Sequence, residues 1–223
     1  MDSDLSLLQK LAIWALPVLF AITLREVAHA YAARAQGDDT ATQMGRLSFN
    51  PLRHVDPLGT VVIPALLISL GGFLMGWPKP IPVNYSRMRQ PRRGIALVAL
   101  AGLGANLAMA IGWTVLLRIA LEAGEGPGLW MGLRYMSIAG VHINLSLFVL
   151  NLIPLPPLDA GRVLIGLLPP PQAQSLARIE PYCFFILVAL FLLPAFRELL
   201  FWPLVIAQGL LFAAFGIDFS SLL

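Results

Sequence analysis

Six apolar stretches, each close to the length of one membrane crossing, dominate the 223-residue chain. A helix needs about 20 apolar residues to cross the hydrocarbon core of a bilayer. The connections between the stretches are too short for a separate soluble domain. We therefore expect one membrane-embedded domain over 1–223, all-α and multi-pass, with five to six transmembrane helices. The stretches cover roughly 5–33, 58–77, 94–120, 130–153, 178–196 and 199–218.

The composition argues against a soluble nucleic-acid-binding protein. Hydrophobic residues make up 58% of the chain and charged residues only 12%, whereas soluble domains carry about 25% charged residues. The basic residues behind the net charge of +3 lie between apolar stretches. Membrane lipid and the cytoplasmic preference of basic loops explain them better than nucleic acid does, so lipid is the predicted surrounding and no nucleic-acid partner is expected.

The basic loops also predict the course of the second apolar stretch. Both 34–56 and 79–93 are rich in arginine, and the positive-inside rule favours a cytoplasmic location for both. A straight crossing by 58–77 cannot satisfy that, whereas a re-entrant segment can, and Gly71 and Gly72 allow the chain to turn there. We expect a re-entrant segment with five true spans; a plain six-span topology is the alternative.

This topology brings two distant parts of the chain together. The first helix would run from outside to inside, so His29 would arrive near the cytoplasmic face. The stretch 94–120 would lead outwards and 130–153 would return, which brings Asp159 back to the depth of His29. A site on the cytoplasmic side is therefore expected.

The stretch 24–33, LREVAHAYAA, places ionisable residues inside the first apolar segment, where they are costly and usually functional. With histidine in place of Arg25 it would contain H-E-x-x-H, the helical zinc signature whose glutamate, here Glu26, is the general base. A guanidinium has no lone pair, so Arg25 cannot bind Zn²⁺ and would repel it. For His29 the alternative is a helix-packing hydrogen bond.

Further polar candidates lie elsewhere in the chain. Asp159 follows the proline-rich PLPPL, which predicts irregular, buried backbone, and it either caps a helix or binds a metal, or does both. Asn106 and Asn151 lie in apolar helices, either as interhelical hydrogen-bonding groups or as contacts to a substrate backbone or oxyanion. His54 is either an interfacial loop residue or an accessory group of the site.

Residues 44–51, MGRLSFNP, indicate a short strand and turn, or a β-hairpin, near these side chains. An exposed strand edge offers unpaired backbone groups. It could therefore pair with an unwound segment of another protein.

Five segments together carry a family resemblance: REVAHAYAARAQGD, GRLSFNPLRHVDPLGT, KPIPVN, ALAGLGAN and NLIPLPPLDAGR. They resemble the site-2 protease family of intramembrane zinc metalloproteases, in its small prokaryotic form without an added soluble domain. The resemblance implies a protease-like domain in a prokaryotic cell membrane that acts on transmembrane segments. By that match His29 and Asp159 are zinc ligands, Glu26 is the general base, and Asn106 and Asn151 are polar catalytic positions.

Three positions depart from the family's pattern. Leu103 stands where the family usually has proline, and Ala160 where it usually has glycine; both are mild changes of shape. Arg25 replaces the first ligand and leaves His29 and Asp159. Because a catalytic zinc ion needs a third protein ligand, Zn²⁺ is expected to bind weakly or not at all.

Two functions therefore stay open. One is a zinc metalloendopeptidase that cleaves transmembrane segments, which needs a substitute ligand such as His54 or a natural form with histidine at position 25. The other is an inactive pseudoprotease that binds such segments, with Arg25 paired to Asp159 or Glu26. A transporter is disfavoured because the sequence shows no inverted repeat.

Cysteine accessibility tests the re-entrant topology. In a Cys183→Ala background, single cysteines beside Arg46 and beside Arg89 should react with a membrane-impermeant reagent from the same, cytoplasmic, side. The reason is that a re-entrant segment returns the chain to the face that it left. Labelling from opposite faces would establish a straight crossing by 58–77.

Overall fold

A computed structural model describes residues 6–54, 56, 62, 79, 81–124 and 128–218. Helices connected by turns make up this part of the chain, and it contains no strand. Short 3₁₀ turns occur at Pro51–Arg53, Tyr85–Arg87 and Glu180–Tyr182. The helices are α1 (Leu7–Ala35), α2 (Thr40–Gln43), α3 (Pro91–Glu122), α4 (Leu129–Asn151), α5 (Asp159–Leu167), α6 (Pro170–Ala177), α7 (Cys183–Leu192) and α8 (Pro194–Ala214).

Five helical segments are long and apolar enough to cross a membrane. They are α1, α3, α4, the consecutive helices α6 and α7 taken together, and α8. The predicted helical, multi-pass membrane architecture is thereby confirmed. One boundary differs: the span predicted over 178–196 begins at Pro170. A proline fits the first turn of a helix, where its missing N–H is not needed, and α3, α6 and α8 all begin this way.

The long helix α3 lies at the centre of the fold and packs against α1, α4 and α5. Its contact with α4 is close because Gly140 faces Trp113; a Cβ at position 140 would lie 2.3 Å from the indole ring. Phe212 of α8 is fully buried in an apolar cluster that also contains Trp113. Small residues at helix contacts are the usual means by which membrane helices approach each other.

The strand or hairpin predicted over 44–51 is not found in the described structure. Gly45 turns the chain with φ 63°, and Asn50 accepts a hydrogen bond from the Leu52 amide at 3.1 Å. Pro51 then begins a 3₁₀ turn. An asparagine side chain that accepts a hydrogen bond from the backbone two residues on favours a turn over a β-strand. This local preference explains why the segment forms a turn.

The segment 58–77 lies, apart from one residue, outside the described part of the chain, and its re-entrance stays a prediction. Its two flanks lie together, because the Lys79 amide donates to the His54 carbonyl at 2.8 Å. The Arg89 amide likewise donates to the Gln36 carbonyl at 2.9 Å. The end of α1 and the start of α3 are therefore on the same side of the bundle.

Asp38 fastens the loop before α3 to the end of α1. Its carboxylate is 1% exposed and accepts hydrogen bonds from the backbone amides of Thr40 at 3.0 Å and Asn84 at 2.6 Å. Burial opposes ionisation of this carboxylate, but the hydrogen bonds from Thr40 and Asn84 outweigh it and hold the pKa of Asp38 below its ordinary value.

This pKa shift predicts a pH-dependent contribution to stability. In the unfolded chain Asp38 has a pKa of about 3.9, so its contribution is fully present above that pH and is lost as the pH falls through the lower folded pKa. An Asp38→Asn variant should be about 1–3 kcal/mol less stable at pH 7. Its melting temperature should also fall less steeply than that of the unmodified chain between about pH 4 and pH 2. Parallel pH profiles for the two proteins would contradict this role.

Candidate functional site

Arg25 lies at the centre of a polar cluster formed by α1, α4 and α5. Its Nη1 donates to Glu26 Oε1 at 3.0 Å. Its Nη2 donates to Asp159 Oδ2 at 2.7 Å and to Asn151 Oδ1 at 3.0 Å. The predicted ion pair with Asp159 is thus present, and a second pair with Glu26 accompanies it. One guanidinium therefore serves two carboxylates and an amide.

The loop between α4 and α5 brings Asp159 back to the end of α4. Asn151 is the last residue of α4 and Asp159 the first of α5, and the Asp159 amide lies 3.4 Å from Asn151 Oδ1. Gly161 permits this turn, because a Cβ there would lie 2.3 Å from the nitrogen of Pro156. The proline-rich loop thus fixes where the Asp159 carboxylate meets α1.

His29 faces the same carboxylates without a close hydrogen bond. Its Nδ1 lies 3.8 Å from Glu26 Oε1, and its Nε2 lies 3.5 Å from Asp159 Oδ1. These distances are longer than a well-formed hydrogen bond. Gly102 of α3 makes room for the imidazole, since a Cβ at that position would lie 2.0 Å from His29 Nε2. Sequence reasoning missed Gly102, although the run of small residues in AGLGAN was a signal for close helix packing.

Glu26 has a second partner that the sequence did not reveal. The backbone amide of Ile81 donates to Glu26 Oε2 at 3.1 Å, and the Ile81 side chain is buried against Ala30 and Ala41. A backbone donor carries no residue-type signal, so no motif could have identified this contact. Both oxygens of Glu26 therefore accept hydrogen bonds from the protein itself.

Asn106 and His54 are both buried, and neither has a described contact with the Arg25 cluster. Asn106 is 1% exposed and lies one turn after Gly102 on α3; within the described structure neither of its amide atoms has a hydrogen-bond partner. His54 is fully buried, with Nε2 2.7 Å from the Ser48 carbonyl oxygen. The catalytic role of Asn106 and the accessory role of His54 stay predictions.

The residues of the cluster do not fit a catalytic zinc ion. His29 and Asp159 offer the two expected ligand side chains, but the Arg25 guanidinium already lies within 2.7 Å of Asp159 and has no lone pair for a metal. Over the described ranges, no group of three His, Cys, Asp or Glu side chains is placed to hold a metal ion. The geometry fits a resident guanidinium with its carboxylate partners.

The chain is similar in sequence to two bacterial proteins that are named as zinc metalloproteases. It is 38% identical over 190 residues to the "Putative zinc metalloprotease YwhC" of Bacillus subtilis, and the aligned region covers 84% of this chain and 83% of that protein. It is 31% identical over 188 residues to Rip2 of Mycolicibacterium smegmatis, which has the same description, covering 82% and 70%. No family model and no solved structure matches the chain. Identity of this extent, over more than four fifths of the chain, shows that the chain belongs to the site-2 protease family of zinc metalloproteases.

Proposed function

We propose that this chain is a non-hydrolytic member of the site-2 protease family, which binds transmembrane segments of other membrane proteins without cleaving them. Membership of the family supports a site for membrane-embedded segments. The observation that carries the absence of cleavage is the Arg25 guanidinium, which bonds Asp159 at 2.7 Å and Glu26 at 3.0 Å.

The contacts of Glu26 argue against its use as a general base. A general base must bring a carboxylate lone pair within hydrogen-bond reach of the attacking water. One oxygen of Glu26 accepts from Arg25 and the other from the Ile81 amide. The Arg25 guanidinium and the Ile81 amide therefore compete with an attacking water for the lone pairs of Glu26.

Asn106 supports the binding part of the proposal. A buried primary amide with no partner is unfavourable, because its donor and acceptor have lost water without compensation. Both amide atoms of Asn106 are in this condition in the described structure. An unwound peptide segment would offer one C=O and one N–H, which match the two atoms of the amide.

We place the site towards the cytoplasm of a prokaryotic cell membrane. The support is the charge of the loops at the site's end of the bundle, where the end of α1 and the start of α3 meet. Arg34, Arg46, Arg87 and Arg89 all belong to this end, and basic loops stay on the cytoplasmic side.

Zinc-dependent cleavage is the second candidate function, for a chain that carries histidine at position 25. The position of residue 25 favours zinc binding by such a chain. Residues 25 and 29 are one helical turn apart and share a face, and the Arg25 side chain points at Asp159. An imidazole in its place would face the same carboxylate.

Metal content and cleavage, measured together, test the proposal. After chelator washing and zinc loading, the purified unmodified chain should hold well below one zinc per protein by elemental analysis, because the guanidinium repels the ion. An Arg25→His variant should hold about one, since a catalytic zinc site has three protein ligands. Incubated with single-span membrane peptides, the unmodified chain should crosslink to the peptides and leave them intact.

The matched control for cleavage is Glu26→Gln. If Arg25→His gains activity, the double variant with Glu26→Gln should lose it while it keeps its zinc. Stoichiometric zinc in the unmodified chain would contradict the proposal. So would peptide cleavage by the unmodified chain that disappears on Glu26→Gln.

A further inference from the structure

A cleft of about 480 Å³ opens where α3 begins. The start of α3 forms one wall and the end of α5 forms the other. None of its lining residues takes part in the Arg25 cluster, so the cleft is distinct from the family's site. The lining residues are Gln90, Pro91, Arg92, Arg93, Gly166 and Leu167.

Two arginines make the cleft cationic, and none of its lining residues in the described part of the chain is acidic. The Arg92 guanidinium donates to the carbonyls of Leu167, at 3.4 Å, and Leu168. Those bonds hold Arg92 against the end of α5. Arg93 is exposed, and no hydrogen bond or ion pair of its side chain is found in the described part of the chain. Its charge is therefore available to a ligand.

Close packing holds the two walls together. A Cβ at Gly166 would lie 2.6 Å from the Arg92 carbonyl oxygen, so α5 approaches α3 more closely here than any larger residue would allow. Both arginines are thus carried by a helix that is packed in place. The Arg92 guanidinium is also held by its bonds to the end of α5, so one of the two cationic groups is preorganised for a ligand.

The location of the cleft indicates the ligand. Arg92 and Arg93 lie in the first turn of α3, a segment long and apolar enough to cross a membrane. The first turn of such a helix lies at the level of the lipid headgroups. Leu167, at the rim, is 67% exposed and would contact acyl chains at that depth.

We propose that this cleft binds the phosphate group of an anionic phospholipid headgroup. A guanidinium offers paired N–H donors that match two phosphate oxygens. Basic pockets beside membrane-spanning helices at the interface bind anionic lipid headgroups, and α3 is long and apolar enough to be such a helix. The apolar rim favours a lipid over free phosphate. This proposal is independent of the proposed function, because it involves no residue of the Arg25 cluster.

Lipid titration of the full-length chain in neutral detergent tests the proposal. The probe is a fluorescent short-chain phosphatidylglycerol, with the phosphatidylcholine analogue as the zwitterionic comparison of zero net charge. Arg93→Gln should weaken phosphatidylglycerol binding by about fivefold or more, as expected for one basic group near an anionic headgroup. The matched control, Arg89→Gln, removes the same charge from an exposed residue outside the cleft and should change binding by less than about twofold.

The remaining arms separate the alternatives. Phosphatidylcholine, whose choline group offsets the charge of its phosphate, should bind at least about fivefold more weakly than phosphatidylglycerol. Inorganic phosphate at about 1 mM should not displace the lipid. Equal losses in the Arg93→Gln and Arg89→Gln variants would show diffuse surface attraction and overturn the proposal. Unchanged binding in Arg93→Gln, or full displacement by inorganic phosphate, would also overturn it. Arg93→Gln removes no side-chain bond found among the described residues, and a melting curve of the variant checks that it remains folded.

Discussion

Two buried carboxylates in a membrane domain need a cation, and Arg25 supplies it. Glu26 is 4% exposed and Asp159 is 1% exposed. Without a partner, each would either stay charged at a cost of several kcal/mol or take up a proton. The guanidinium bonds to both and to Asn151. Three separate parts of the chain, α1, α4 and α5, therefore meet at one side chain.

The same interaction links the structure of the site to its chemistry. A resident zinc ion and a resident guanidinium can both neutralise buried carboxylates, but only zinc has open coordination positions. With Arg25 in the centre, the proline-rich loop remains held against α1 by the bond to Asp159. The carboxylates that would act on a substrate are occupied. Under the proposed function, the fold of the family persists in this way without hydrolysis.

Much of this arrangement could be predicted from the sequence, and the reasons are specific. Apolar stretches of membrane length predicted five to six spans, and five are present in the described part of the chain. The need to pair buried charges predicted that Arg25 pairs with Asp159 or Glu26, and it pairs with both. Backbone and shape contacts could not be predicted, because the Ile81 amide on Glu26 and the space that Gly102 leaves for His29 depend on three-dimensional packing. The prediction of a strand over 44–51 was wrong for a local reason, because Asn50 and Pro51 form a turn.

The unfolding free energy of Arg25 variants tests most directly whether Arg25 is the structural cation of the site. We predict that Arg25→Ala destabilises the metal-free protein by about 3–5 kcal/mol, because it leaves buried carboxylates unpaired. The matched control Arg34→Ala removes an exposed ion pair on the same helix, 3.5 Å from Asp39, and should change stability by about 1 kcal/mol or less. Arg25→His should recover stability only when zinc is present. An Arg25→Ala protein as stable as the unmodified chain, in chelator, would contradict the account.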